Sequence, residues 1–183
     1  MCQLAACAEK KFDVFGFDTS SKHIKNLNKL SVPYDEPFLV ETLKRNKKRI
    51  KFSSNFNEIK KLDLVFISLD LKTNKKGYAD TKILLNLINK TKKHINLNAN
   101  LIILSQVKPK FTRSINFDKK RLIYQVETLI FGQAISRALK PERIIIGTNS
   151  DKINQNYNLF LKKFNCPITV SYTHLRAHET RGN

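Results

Sequence analysis

Nowhere does this chain of 183 residues approach the roughly 18 consecutive apolar residues that a membrane span needs. Its opening, Met1-Cys2-Gln3-Leu4, lacks the basic-then-apolar order of a signal peptide. No membrane partner is therefore expected, and a cytoplasmic location is the default. Cysteine is scarce: Cys2, Cys7 and Cys166 are an odd number without paired spacing. That pattern suits a reducing compartment and argues against both a disulfide framework and a zinc site, so no metal is expected. Glycine is scarce as well, Gly16 being the only one before Gly77. There are no internal repeats and no Gly/Ser linkers, which points to one domain rather than several.

Acidic residues are the other shortage, 15 against 34 Lys and Arg, for a formal charge of +19. Such an excess invites a nucleic-acid reading. Two features weigh against it. The lysines are spread along the whole chain together with many Asn and Ile, as A/T-rich coding produces. The aromatic residues are mostly Phe inside apolar runs and are not interleaved with the basic clusters as a base-stacking platform requires. No nucleic-acid partner is expected, although a basic nucleic-acid-binding module remains the rival reading.

What is present is an alternation of short apolar runs with longer segments of helical period. Phe12–Asp18, Leu62–Leu69, Asn100–Val107, Leu122–Val126 and Arg143–Gly147 read as strands, several apolar on both faces as buried parallel strands are. Ser20–Leu30, Pro37–Asn46, Asp80–Lys93 and Asp151–Phe164 read as helices, with Ser20 or Ser21, Asp80 and Asp151 as N-caps. The order predicts an α/β protein with an open parallel sheet and helices on both faces. Leu4–Lys10 is a small-residue helix running straight into the first strand. In a doubly wound nucleotide-binding fold a strand and a glycine-rich turn precede that helix, so the first strand and its turn are expected to be missing upstream.

Several landmarks in order resemble the UDP-glucose/GDP-mannose dehydrogenase family, the nucleotide-sugar 6-dehydrogenases. They are LAACAEKKFDVFGFD, Leu27-Asn28, Glu36-Pro37, FISLDLKTNKKGYAD, LIILSQVKPKFTRSI and YQVETLIFGQAISRALKPERIIIG. The last resembles the family's Asn-Pro-Glu-Phe-Leu-x-Glu-Gly segment and its Pro-Asp/Glu-Arg-hydrophobic-Gly ending. The resemblance implies a Rossmann-like NAD-binding domain over residues 1–170. The parent enzyme would oxidise the C6 hydroxyl of a nucleotide sugar, UDP-glucose first, with two NAD molecules and a cysteine-held thioester. It would work as a homodimer. A non-catalytic Rossmann domain is a further alternative.

The same resemblance supplies candidate site residues. Asp18, at the tip of the first visible strand, would accept the adenosine ribose hydroxyls of NAD, while a helix N-cap is the competing role. His23 stands where the family often has a basic residue. Leu71 and Thr73 fall in the family's cofactor loop, written Leu71-Lys72-Thr73 here where Thr-Pro-Thr is usual. Ser105 and Gln106 end the next strand beside the cofactor. Glu127 matches the first glutamate of the Pro-Glu-Phe segment and would orient or activate the water that hydrolyses the thioester. Thr128 and Leu129 follow it toward the substrate. The competing role for Glu127 is a cap on a helix spanning Thr128–Leu139. Departures from the family are Gln125, Val126 and Phe131, where it has Asn, Pro and a second Glu. Glu142-Arg143 matches the segment's ending, and Arg143 is expected to serve as an ion-pair partner. Cys166, in a turn, is not expected to be the nucleophile.

The tail Ser171–Asn183 changes character abruptly, with few apolar residues, no Lys, and His174 and His178 four apart. It resembles a translated sequencing-adapter remnant and is set aside as residues 171–183, non-native. Without the glycine-rich turn and the cysteine, the chain alone is expected to be inactive.

Overall fold

The computed structural model describes residues 1–71, 79–150 and 152–171. Thr73, the neighbouring Lys72, Asp151, and His174 and His178 of the tail lie outside the described residues. Two compact units emerge, the first built from Met1–Glu58, Thr128–Glu142 and Lys162–Cys166, the second from Ile59–Glu127, Arg143–Leu161 and Pro167 onward.

In the first unit, α1 (Cys2–Glu9) leads into β1 (Val14–Phe17), followed by α2 (Ser21–Asn28), α3 (Leu39–Arg45) and β2 (Ile50–Ser53). The later helix α6 (Ala134–Leu139) joins them. Strands β1 and β2 pair in parallel, Gly16 opposite Phe52. A Cβ on Gly16 would stand 2.5 Å from the Phe52 ring and 3.0 Å from Leu4, so this glycine is there for close packing. Ala5, Ala6 and Ala8 are wholly buried. Such small side chains let the α1 backbone approach closely while burying nothing polar. Cys2, Ala5, Leu39, Leu43, Ala134 and Ile135 form one apolar cluster joining α1, α3 and α6.

The second unit carries β3 (Leu64–Ile67), α4 (Lys82–Thr91), β4 (Asn100–Ile103), the short α5 (Phe111–Ser114), β5 (Leu122–Gln125), β6 (Ile144–Thr148), α7 (Gln155–Lys162) and β7 (Ile168–Ser171). Its five-stranded sheet runs in chain order from β3 to β7. All four residues of β4 are buried. Because alternate residues point to opposite faces, both faces of this sheet are covered. Tyr157, Phe160 and Leu161 form the buried stripe of α7, and Phe160 packs 5.2 Å from the Phe66 ring of β3.

The expected α/β architecture, a mostly parallel sheet with flanking helices, is present, with local differences. The β5–β6 pair is antiparallel, Tyr124 opposite Gly147, which corrects an all-parallel expectation. Strands β2 and β7 were not predicted. Ser20 caps α2, its hydroxyl accepting from the His23 N–H at 3.3 Å. Asp80 accepts from the Lys82 N–H at 2.9 Å from just before α4, whose cap position is Thr81. α7 begins at Gln155, later than predicted, with the Asn154 side chain accepting from the Asn156 N–H at 2.9 Å. Among the described residues no helix is long and apolar enough to cross a membrane.

Candidate functional site

The first candidate region lies where β1 ends. The strand that packs Gly16 against Phe52 delivers Asp18 just past the last paired residue, half-buried. Its Oδ1 accepts from the Ser20 N–H at 2.7 Å, and its Oδ2 lies 3.5 Å from His23 Nδ1. The helix cap is Ser20, so the competing capping role for Asp18 is ruled out in favour of a turn-forming acceptor. His23 is exposed on the first turn of α2 and faces the carboxylate. The Asp18 side chain is 40% exposed, and a carboxylate has acceptor capacity beyond these two contacts, which suits a hydroxyl donor. This arrangement fits the adenosine-ribose end of NAD. Among the described residues there is no glycine-rich turn to cradle a pyrophosphate.

The second region is the edge formed by the parallel strands β3, β4 and β5, which end together because Ile67, Ile103 and Tyr124 are in register. The C-terminal edge of parallel strands is where open α/β sheets bind ligands. Leu71 is half-buried past β3. Ser105 is buried, its N–H donating to the Ile67 carbonyl at 3.2 Å and its hydroxyl reaching the same oxygen at 3.5 Å. That bond stitches β4 to β3 and gives Ser105 a structural duty. Gln106 is exposed at the same edge.

Glu127 follows β5 by two residues. Its surface is exposed, yet the protein packed around its carboxyl raises it above the ordinary glutamate range, and the Asp70 carboxylate adds to the rise. Tyr124, half-buried on β5, is also raised, by burial first and then by the Glu127 charge. Beneath them, Gln125 is buried and its Oε1 accepts from the Tyr157 hydroxyl at 2.6 Å. Burial raises that phenol strongly, so it stays a neutral donor at any ordinary pH.

The helix expected over Thr128–Leu139 is only Ala134–Leu139. Glu127 therefore caps nothing, and Thr128 and Leu129 lie in an extended loop, Thr128 exposed and Leu129 packed on the apolar cluster of the first unit. Glu142 pairs with Arg137 at 3.4 Å, and among the described residues Arg143 makes no ion pair. Cys166 is half-buried.

Sequence reasoning missed two contributors. The Gln125–Tyr157 bond joins residues far apart in the chain, and no local pattern announces it. Glu36 was noted only as a landmark. It is buried, and its two oxygens accept from the Gly132 N–H at 2.8 Å and the Ala134 N–H at 2.7 Å. An acidic residue just before a helix was the visible signal, but its partners lie almost a hundred residues on.

The chain was compared with known proteins. Residues 1–165 match the model of the UDP-glucose/GDP-mannose dehydrogenase family, NAD binding domain. A UDP-glucose 6-dehydrogenase from Rickettsia typhi is 31% identical over 161 residues, which are 83% of this chain and 36% of the relative. The chain thus spans about a third of the length of that relative. A UDP-glucose dehydrogenase structure from Pyrobaculum islandicum superposes with a TM-score of 0.81 at 21% identity, over 92% of this chain and 43% of that one. A ternary complex of GDP-mannose dehydrogenase from Pseudomonas aeruginosa gives 0.81 at 18% identity, over 93% and 43%.

Proposed function

We propose a function from this premise: the chain belongs to the UDP-glucose/GDP-mannose dehydrogenase family and carries its NAD binding domain. The parent protein is a cytoplasmic, homodimeric oxidoreductase that converts the C6 hydroxyl of a nucleotide sugar, UDP-glucose first, to a carboxylate. Two NAD molecules, bound in turn, would each take one of the two hydrides that this four-electron oxidation releases, and water would supply the second carboxylate oxygen. The two-thirds of the relatives' length that this chain does not span would carry the remaining groups, so the chain alone turns over no UDP-glucose.

Its own residues orient and hold protons. Asp18 accepts hydrogen bonds from the adenosine ribose, with His23 flanking the carboxylate. Leu71 and Gln106 would meet the cofactor at this edge, Ser105 holding the edge in shape, and Thr73 would join them by the family resemblance. Glu127 sits where water must be activated. A carboxyl raised toward working pH is a better proton acceptor than an ordinary one, since it combines an ionised fraction with a stronger base. Thr128 and Leu129 carry the chain on toward the sugar.

The single observation that supports this reading best is the raised Glu127 carboxyl at the C-terminal edge of three strands in register. Saturation-transfer NMR with NAD on the whole chain tests it, because that method reads weak binding. Contacts at the adenosine ribose protons, lost in Asp18→Ala, are expected. Absence of NAD contacts, with salt-sensitive binding to DNA or RNA instead, would overturn the reading in favour of the basic module.

A further inference from the structure

We infer that Glu36 is the positioning residue for the loop 128–134, fixing it through the backbone N–H groups of Gly132 and Ala134. The inference rests on the function proposed above only in taking Thr128 and Leu129 to face the substrate.

The carboxylate is 5% exposed and makes both bonds within 2.8 Å. A buried carboxylate without donors is costly, so the loop is held by the charge it neutralises, and such charge-assisted bonds are among the stronger ones. Glu36 lies three residues before α3, whose Leu39 and Leu43 are packed in the apolar cluster, and the Thr42 hydroxyl donates back to the Phe38 carbonyl at 2.6 Å.

The loop is otherwise lightly held. Leu129 packs on the same cluster, and the Gln133 N–H donates to the Ile130 carbonyl at 3.0 Å. Between those contacts the crown is exposed, Ile130 at 49% and Phe131 at 77%, with the Phe131 ring centroid 6.0 Å from that of Tyr34. Gly132 has φ +81°, and a Cβ there would meet nothing within 4 Å. Glycine is needed for the left-handed backbone that turns the N–H inward, not for space. Where the family has a second glutamate, this chain has the exposed Phe131, and among the described residues the carboxylate on these N–H groups is that of Glu36.

Glu36→Gln keeps the size of the side chain but leaves one acceptor oxygen and sets an amide against an N–H. Amide exchange followed by NMR on the whole chain should show Gly132 and Ala134 exchanging about tenfold faster, the factor that loss of one charged hydrogen bond supports. Leu43 and Ala8 should stay within about twofold, as sites outside the local opening. UDP-glucose should bind about tenfold more weakly, by the same factor, with NAD contacts unchanged. Unchanged exchange at Gly132 and Ala134 overturns the inference. So does a uniform rise through the first unit, which would make Glu36 a support for the core alone.

Gly132→Ala strains the same turn from the surface and decides the matter should Glu36→Gln not fold. Faster exchange at Ala134 and weaker UDP-glucose binding are expected, with the exchange at Leu43 and Ala8 little changed; the absence of both changes would overturn the inference. A native chain that binds no UDP-glucose sinks the substrate reading instead, and the exchange rates still decide the role of Glu36.

Discussion

The carboxylates at the two strand tips meet opposite surroundings. Asp18, after β1, is given donors: the Ser20 N–H at 2.7 Å and the His23 ring at 3.5 Å. Glu127, after β5, accepts no hydrogen bond among the described residues, and burial with Asp70 close by pushes its carboxyl upward. The first carboxylate is held by hydrogen-bond donors. The second is crowded by protein and by a like charge. Each difference can be broken separately.

The largest effect is expected beneath the Glu127 tip. Asp18 rests on local turn bonds, whereas the strand leading to Glu127 rests on the buried Tyr157–Gln125 bond. Tyr157→Phe leaves the Gln125 carbonyl without its donor, and a stranded buried acceptor costs about 1–3 kcal/mol. Urea denaturation should show that loss. A loss below about 0.5 kcal/mol, less than a typical net hydrogen bond, would mean that the strand tip does not depend on this pair.

Next comes the β1 tip. Asp18→Ala removes the acceptor for Ser20 and for a ribose hydroxyl, so NAD binding should weaken by about tenfold, or ~1.4 kcal/mol. Asp18→Asn retains one acceptor oxygen and should recover part of it. Equal affinity in all three proteins, read by the NAD saturation-transfer signal, would reduce Asp18 to a turn residue and remove the contrast with Glu127.

Much of this architecture was legible from the sequence because β3, β4 and β6 are dense apolar runs and α2 and α4 have clear helical stripes. The place of Asp18 at a strand end was legible for a related reason: it directly follows such a run. Short strands were not. β2 (Ile-Lys-Phe-Ser) and β7 (Ile-Thr-Val-Ser) offer only two apolar residues each, too few to separate a strand from a loop. The direction of β6 was hidden because an apolar run carries no polarity. The start of α6 was misplaced because Glu36 takes the N–H groups of Gly132 and Ala134. A partner that distant overrides a local preference for helix and leaves 128–133 as loop.

A smaller effect should appear in the pH dependence of stability. The Glu127 carboxyl is raised in the folded state, so the fold holds this proton to higher pH than the unfolded chain does. Its contribution is fully favourable below the ordinary glutamate value of about 4.3 and is lost as pH rises through the raised folded value. Glu127→Gln removes that loss. The variant should gain on the native chain as pH rises from the ordinary glutamate value of about 4.3 through the raised folded one. A difference in stability that is constant with pH would mean the carboxyl titrates normally, and the strand tips would then differ in hydrogen bonding alone.

The smallest effect separates the two causes of that rise. Burial comes first and Asp70 second, so Asp70→Asn should lower the Glu127 titration midpoint only part of the way toward the ordinary value. A carbon-13 NMR titration of the Glu127 carboxyl reads the midpoint directly. No movement would mean that water screens Asp70 fully and desolvation acts alone. Complete return to the ordinary value would reverse the order, making the like charge the main cause. In that case a cation bound near the β3 and β5 tips would quench the proton affinity of Glu127, whereas a carboxyl raised by burial keeps much of it. The Asp70 substitution, though the gentlest, therefore decides whether the contrast between the two strand tips lies in packing or in charge.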